Sequence, residues 1–298
     1  MSLGALMLES FSVIGVNVFI LITGYFSATP KKISLLNIAF ICLFWMIVKL
    51  VCRYECGQSI KYEHLFFITT SNWFIANYLG LLFLAPILNS FCNSASKRAL
   101  LGGGVSLLVV EVWFDLIPPH PTVRLGTQSG YSVFSFAIIY LIARYLKLYG
   151  LPKWFNKNSL WIYITISLLQ GIVAYMGKGV GEEGIGGLLF AYNNPMVIIS
   201  SVAFLISFER LKISSKFINH LAKSTLAILL GHSAIFFFYT KQFKYLYDNY
   251  SGFEVIEYWV LSITVVFVAS IIIDQLRLLM WKPINAWLKI HIKNNNIY

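Results

Sequence analysis

Two carboxylates, Glu111 and Asp115, stand four residues apart in an otherwise apolar stretch. On a helix that spacing puts both on one face. A carboxylate inside a membrane helix is expensive and normally faces a cavity or a partner. Such a pair could hold hydroxyl groups or orient an imidazole. Asp115 could also lie simply at the water boundary, whereas Glu111 sits deeper. His232, in the triplet Gly231-His232-Ser233, offers an imidazole whose ordinary pKa near ~6.5 suits removal of a hydroxyl proton. The alternative for it is a polar contact within a helix bundle. The triplet is not a nucleophile elbow, which needs Gly-x-Ser-x-Gly on a strand-turn-helix. Arg144 could snorkel to a membrane interface or bind phosphate through its planar fork.

Other candidates are weaker. His64 and His120 fall in loops, and His120, within Pro118-Pro119-His120-Pro121, reads as a surface residue. The run Gly177-Lys178-Gly179-Val180-Gly181-Glu182-Glu183-Gly184 contains a formal G-x-G-x-x-G. No strand precedes it, so the dinucleotide reading fails and a flexible outer loop is expected. Cys42, Cys52, Cys56 and Cys92 show no metal-ligand spacing. Three sit in or beside apolar runs, where Cys is a small hydrophobe. Cys52 and Cys56, near a span end, could pair, although nothing requires it. No metal and no redox cofactor is implied.

The elements that must position these groups follow from composition. The chain has 298 residues, 58% hydrophobic and only 12% charged. A soluble domain carries about 25% charged residues, so this chain cannot cover a water-facing surface and reads as an integral membrane protein. Its apolar runs are continuous rather than alternating, so the spans are helices and not barrel strands. Nine are expected, over about 11–28, 33–52, 73–91, 99–117, 131–148, 159–176, 194–210, 221–240 and 256–280. The expectation is an all-α polytopic membrane protein forming one domain over residues 1–298.

Charge sets the sides. Lys31 and Lys32 follow the first span; Lys97 and Arg98, Arg144 to Lys157, Arg210 to Lys223, and Arg277 to Lys293 occupy the other segments of the same side. Only Glu209 and Asp274 oppose them there. Basic residues mark cytoplasmic segments, and this accounts for the net charge of +11 without a nucleic-acid partner. The C-terminus is then cytoplasmic and, with nine spans, the N-terminus is outside. The start carries no basic region and no small-x-small cleavage site, so no cleavable leader is expected. Glu9 and its neighbours read as an outer loop, which implies one more helix upstream and a ten-span chain with both ends inside.

Phe19-Ile20-Leu21-Ile22-Thr23-Gly24-Tyr25, followed by Lys31-Lys32, resembles the F-x-x-S-G-[FY] span of membrane acyltransferase family 3, with one extra residue and Thr23 in place of Ser. Trp73-Phe74-Ile75-Ala76-Asn77-Tyr78-Leu79-Gly80-Leu81, continuing to Pro86-Ile87-Leu88-Asn89, resembles the family's W-F-x-x-x-Y-x-G-L…P-x-L-N span. Gly130-Tyr131-Ser132-Val133-Phe134-Ser135-Phe136 leading to Tyr140 and Arg144, Tyr192-Asn193-Asn194-Pro195, and Lys223-Ser224-Thr225 leading to Gly231-His232 complete the series in order. The branch most similar modifies cell-surface polysaccharides in low-GC bacteria.

The resemblance implies ten core spans in a bacterial plasma membrane. It implies transfer of an acyl group, usually acetyl, from acyl-CoA to a sugar hydroxyl of a surface glycan or its lipid-linked precursor. Acyl-CoA would be the donor substrate, with no bound cofactor. The family's catalytic Arg and His lie on the first core span, the one that the topology implies is missing, so its His has no counterpart here. His232 and Glu111 remain the catalytic candidates. Gly24, Tyr25, Trp73, Tyr78, Asp115, Arg144 and Asn194 are the candidate substrate contacts. For Gly24 and Tyr25 the other reading is helix packing through a small residue beside an interfacial aromatic. A glycan or lipid transporter, or an inactive family member, is the rival reading; inverted repeats with broken helices would mark a transporter, and none is seen.

Overall fold

Long apolar runs without alternation satisfy their backbone internally as helices, and the structure, a computed structural model, is all-helical among the residues it describes. Those residues are 3–66, 72–117, 128–177, 184–211, 214–233, 235, 245, 249 and 253–292. The expectations for His120 and for most of the glycine-rich run, 178–183, lie outside them. The helices are α1 (Leu3–Ser12), α2 (Gly15–Tyr25), α3 (Lys32–Glu55), α4 (Trp73–Ser94), α5 (Lys97–Asp115), α6 (Val133–Tyr149), α7 (Lys153–Met176), α8 (Gly184–Leu189), α9 (Pro195–Glu209) and α10 (Lys216–Ala222). A further helix, α11, is described over 225–233, and α12 is Phe253–His291.

Among the described residues, five segments are long and apolar enough to cross a membrane: Leu3–Tyr25, Lys32–Glu55, Trp73–Ser94, Lys153–Met176 and Val260–His291. The expected count of nine spans is not confirmed, for identifiable reasons. A span needs about 20 apolar residues; α6 has 17 and α9 has 15. The 19 residues of α5 carry Lys97 and Arg98 at one end and Glu111 and Asp115 at the other. The span expected over 221–240 is described only as far as 233, and at 235.

The first span also begins earlier than expected. Glu9 lies within α1 rather than in an outer loop. The reason is packing: α1 lies along α7, where the Tyr163 hydroxyl donates to the Phe11 carbonyl at 2.9 Å and the two rings meet edge to face.

The chain forms two compact units. Unit 1 comprises Met1–Thr29 and Asn77–Ile213. Its centre is α6, which buries Phe136, Ile138, Ile139, Tyr140, Leu141, Ala143, Arg144 and Leu146. A helix covered on nearly all sides is a core helix. The close partner on one side is α2, where a Cβ on Gly24 would stand 2.8 Å from both the Tyr140 carbonyl oxygen and the Ala143 Cβ. Only glycine fits there. Helix starts are written in capping residues: Ser96 accepts from the Ala99 N–H, Ser132 from the Ser135 N–H, and Asn194 from the Met196 N–H with Pro195 at the first helical position.

Unit 2 comprises Pro30–Ala76 and Ser214–Tyr298. Here α12 packs along α3, with the Phe40 and Trp281 rings 5.2 Å apart. A Cβ on Gly231 of α11 would stand 2.6 Å from the Ser270 Oγ and 2.7 Å from the Trp45 ring, so the three helices meet closely at that point.

Candidate functional site

The carboxylate pair is built by three segments of unit 1. Helix α5 supplies Glu111 and Asp115 from one face. The turn at 128–130 reverses the chain into α6 through two residues of positive φ, Ser129 at +58° and Gly130 at +94°. A Cβ on Gly130 would lie 2.6 Å from the Tyr192 Cβ, so a glycine is required for conformation and for space. The Tyr192 N–H then donates to the Ser129 carbonyl at 2.9 Å. Asp115 binds both partners of this junction: its Oδ2 accepts from the Ser129 N–H at 2.7 Å and from the Asn193 Nδ2 at 2.6 Å. Glu111, 1% exposed, accepts from the Ser135 hydroxyl, which is also paired with the Ser132 hydroxyl. The Asn193 amide also reaches Glu111.

The segment 189–193, which brings Asn193 to this pair, is held by amides that keep unsatisfied acceptors. Asn17, Gln170 and Asn193 are fully buried amides. Asn17 donates to the Tyr192 carbonyl at 2.8 Å and Gln170 to the Leu189 carbonyl at 2.9 Å. Each of the three keeps its own carbonyl oxygen without a partner. Buried polar atoms are nearly always paired, so three orphan acceptors on residues that hold or belong to one short segment, 189–193, ask for hydroxyl or water donors. Tyr131 and Tyr192 stand beside them with ring centroids 4.9 Å apart, and Tyr131 is exposed. Burial, with Tyr131 alongside, pushes the Tyr192 hydroxyl above its ordinary pKa, so that it stays a neutral donor.

A second polar group lies further along α6. Nine residues separate Ser135 from Arg144, or about 14 Å of helix. Arg144 does not snorkel. It is 6% exposed, and its guanidinium turns onto α4, where an Nη donates to the Asn93 Oδ1 at 3.2 Å and the Cys92 sulfur lies against it. One helical turn away, Asn89 accepts from the Tyr140 hydroxyl at 2.7 Å and the Ser27 hydroxyl at 3.0 Å, and donates to the Ala28 carbonyl. Tyr25 donates its hydroxyl to Glu209, and the Lys147 ammonium sits 4.5 Å over its ring. Gly24, Tyr25 and Arg144 are therefore gathered at one end of α6. Glu111 and Asp115 are gathered at the other.

The remaining expected residues are placed differently. Asn194 caps α9 and donates to the Leu188 carbonyl at 3.0 Å; its neighbour Asn193 is the one that reaches the carboxylates. Tyr78 packs its ring edge-on against Phe19, with its hydroxyl toward Thr23. Trp73 opens α4 in unit 2, against Phe74. His232 is also in unit 2, with an exposed side chain on α11. His64 is engaged in its own turn, its Nδ1 accepting from the Lys61 N–H at 2.9 Å.

Unit 2 contains one feature that sequence reading missed. The charge pattern counts Arg277 among the basic topology signals and Asp274 as an acid opposing them, but the two are 1% and 0% exposed in the middle of α12. The Arg277 Nε donates to the Asp274 Oδ1 at 2.5 Å and an Nη to the Oδ2 at 3.0 Å. The Arg277 Nη1 also reaches Asn37 of α3, at 3.5 Å. The spacing of three on a helix was available as a signal. Among the described residues no cluster of His, Cys, Asp and Glu suited to a metal ion is present. No family model, curated protein or solved structure matches this chain.

Proposed function

We propose that this chain is an integral membrane O-acyltransferase, transferring an acyl group, most simply acetyl, from acyl-CoA to a hydroxyl of a surface glycan or its lipid-linked precursor. The observation that carries the reading is the acceptor-rich site of unit 1. Two carboxylates stand with three orphan amide oxygens and an exposed tyrosine ring. Such a site suits a ligand that presents many O–H donors and a flat apolar face, which describes a sugar. The ordered series of sequence resemblances supplies the reaction class.

In the transfer, the C–S bond of the thioester breaks as a C–O bond to the sugar forms. The hydroxyl proton leaves to a base and finally to the departing thiolate. Glu111 is the group assigned to take that proton, with Asp115 and Asn193 orienting the sugar. The reaction passes through an oxyanion that needs donors. In this reading the protein sits in a bacterial plasma membrane, the basic residues around Arg144 and Lys147 face the cytoplasm, where acyl-CoA is found, and the C-terminus is cytoplasmic.

The test is transfer of radiolabelled acetyl from acetyl-CoA to surface glycan, using membranes from cells that produce the chain and from cells without it. Label in the glycan only with the chain is the expected result. No label with any of several acyl donors and glycans would remove the enzyme reading in favour of a transporter or an inactive relative.

A further inference from the structure

Arg144 is always charged, is nearly fully buried, and forms no ion pair with any described residue; around its side chain stand the Asn93 amide oxygen, the Cys92 sulfur and the Tyr140 hydroxyl. The Asp274–Arg277 pair is the only salt bridge among the described residues. The Arg144 Nε has no acceptor. A buried charge is tolerated when it is paired and hydrogen-bonded, and this one lacks its anion. Lys147 follows three residues later on α6, exposed, with its ammonium 4.5 Å over the Tyr25 ring. The two cations together match a doubly charged ligand better than a carboxylate. The nearby acid, Glu209, is taken up by Tyr25.

We infer that Arg144, with Lys147 beside it, is a binding site for a phosphate group. The guanidinium fork binds phosphate oxygens in bidentate fashion, and Lys147 adds a point charge toward solvent. The phosphate could belong to a soluble molecule or to a lipid headgroup. Only the identity of the rest of that molecule, acyl-CoA or a lipid-linked acceptor, rests on the acyltransferase reading.

The experiment uses the purified full chain in neutral detergent and follows thermal unfolding with two probes. One arm adds inorganic pyrophosphate; the other adds mixed micelles containing dioleoylphosphatidylglycerol, with dioleoylphosphatidylethanolamine as the zwitterionic comparison. The wild type should show a saturable rise in Tm in at least one arm, and the arm identifies the source. Arg144→Gln should weaken that binding by about 30-fold or more, as truncating a buried charged partner does. Without ligand it should unfold no lower than the wild type, because an uncompensated charge has been removed. Arg98→Gln should bind within about twofold of wild type, since Arg98 is an exposed cation outside any desolvated contact.

If Arg144→Gln does not fold, Arg144→Lys decides, because it keeps the charge and loses the fork: binding weakened by about tenfold supports the site, and unchanged binding overturns it. The inference also fails if neither probe stabilises the wild type, or if Arg144→Gln binds as the wild type does. Pyrophosphate binding without acetyl transfer would leave this site standing and remove the enzyme reading. Transfer without Arg144-dependent binding would do the reverse.

Discussion

The two buried arginines of this protein have opposite surroundings. In unit 2, Arg277 faces Asp274 in a two-point contact on the same helix and reaches across to Asn37. Its charge is neutralised within the chain. In unit 1, Arg144 is nearly as buried, yet around its side chain stand an amide oxygen, a thiol and a tyrosine hydroxyl. An ion pair internal to α12, with one contact to Asn37 of α3, gives a ligand little to bind. A guanidinium without a carboxylate keeps its electrostatic capacity for something from outside. On the proposed reading, the presence or absence of a counter-ion, rather than burial alone, separates the two arginines.

The largest effect that would test this contrast is Asp274→Ala. It leaves Arg277 buried and unpaired, and should cost about 3–5 kcal/mol of stability, measured by reversible unfolding in mixed micelles. The double change Asp274→Leu with Arg277→Met should be close to neutral, because buried pairs are often replaceable by apolar packing. A double variant as unstable as the single one would show that the pair has a role beyond mutual neutralisation.

Next in size is Asn93→Ala, which removes the side-chain hydrogen bond from Arg144. A bond to a charged group is worth about 1.5–3 kcal/mol, and added phosphate should restore part of the loss in the same unfolding assay. Gly24→Ala tests the scaffold of the Arg144 end. Its Cβ would meet Tyr140 and Ala143 at 2.8 Å, and overpacking of that kind costs about 1–3 kcal/mol. The smallest effect is expected at Tyr25→Phe, where the hydroxyl bond to Glu209 is exposed and worth about 1 kcal/mol or less.

Sequence reading reached the helical class because composition and unbroken apolar runs are local properties. It also reached the burial of Glu111, because a carboxylate deep in an apolar stretch is conspicuous without any partner. Asn193 was overlooked although it sits in a quoted motif. Its role depends on Asp115, 78 residues earlier, and an amide carries no charge to draw attention. The ends of α12 explain the misreading of Asp274 and Arg277. A span drawn to end near 280 leaves them at a water boundary, whereas the helix runs to His291 and buries them. For Arg144 the sequence allows an interface or a ligand; its burial comes from α6 being the central helix of unit 1, which periodicity in one helix cannot reveal. His232 looked like a base because an imidazole in a span is rare; its exposed side chain lies in unit 2, and the carboxylates lie in unit 1.

The most direct test of the central claim is acetyl transfer to surface glycan by membranes carrying Glu111→Gln, with the amount of folded protein matched to wild type. Gln keeps the shape and a hydrogen-bonding oxygen but cannot take a proton. If Glu111 handles the hydroxyl proton, transfer should fall by about 100-fold or more, with the apparent affinity for acetyl-CoA unchanged. Transfer at the wild-type rate would contradict the assignment of Glu111 and, with it, the reading of the unit 1 carboxylate pair as the reacting site.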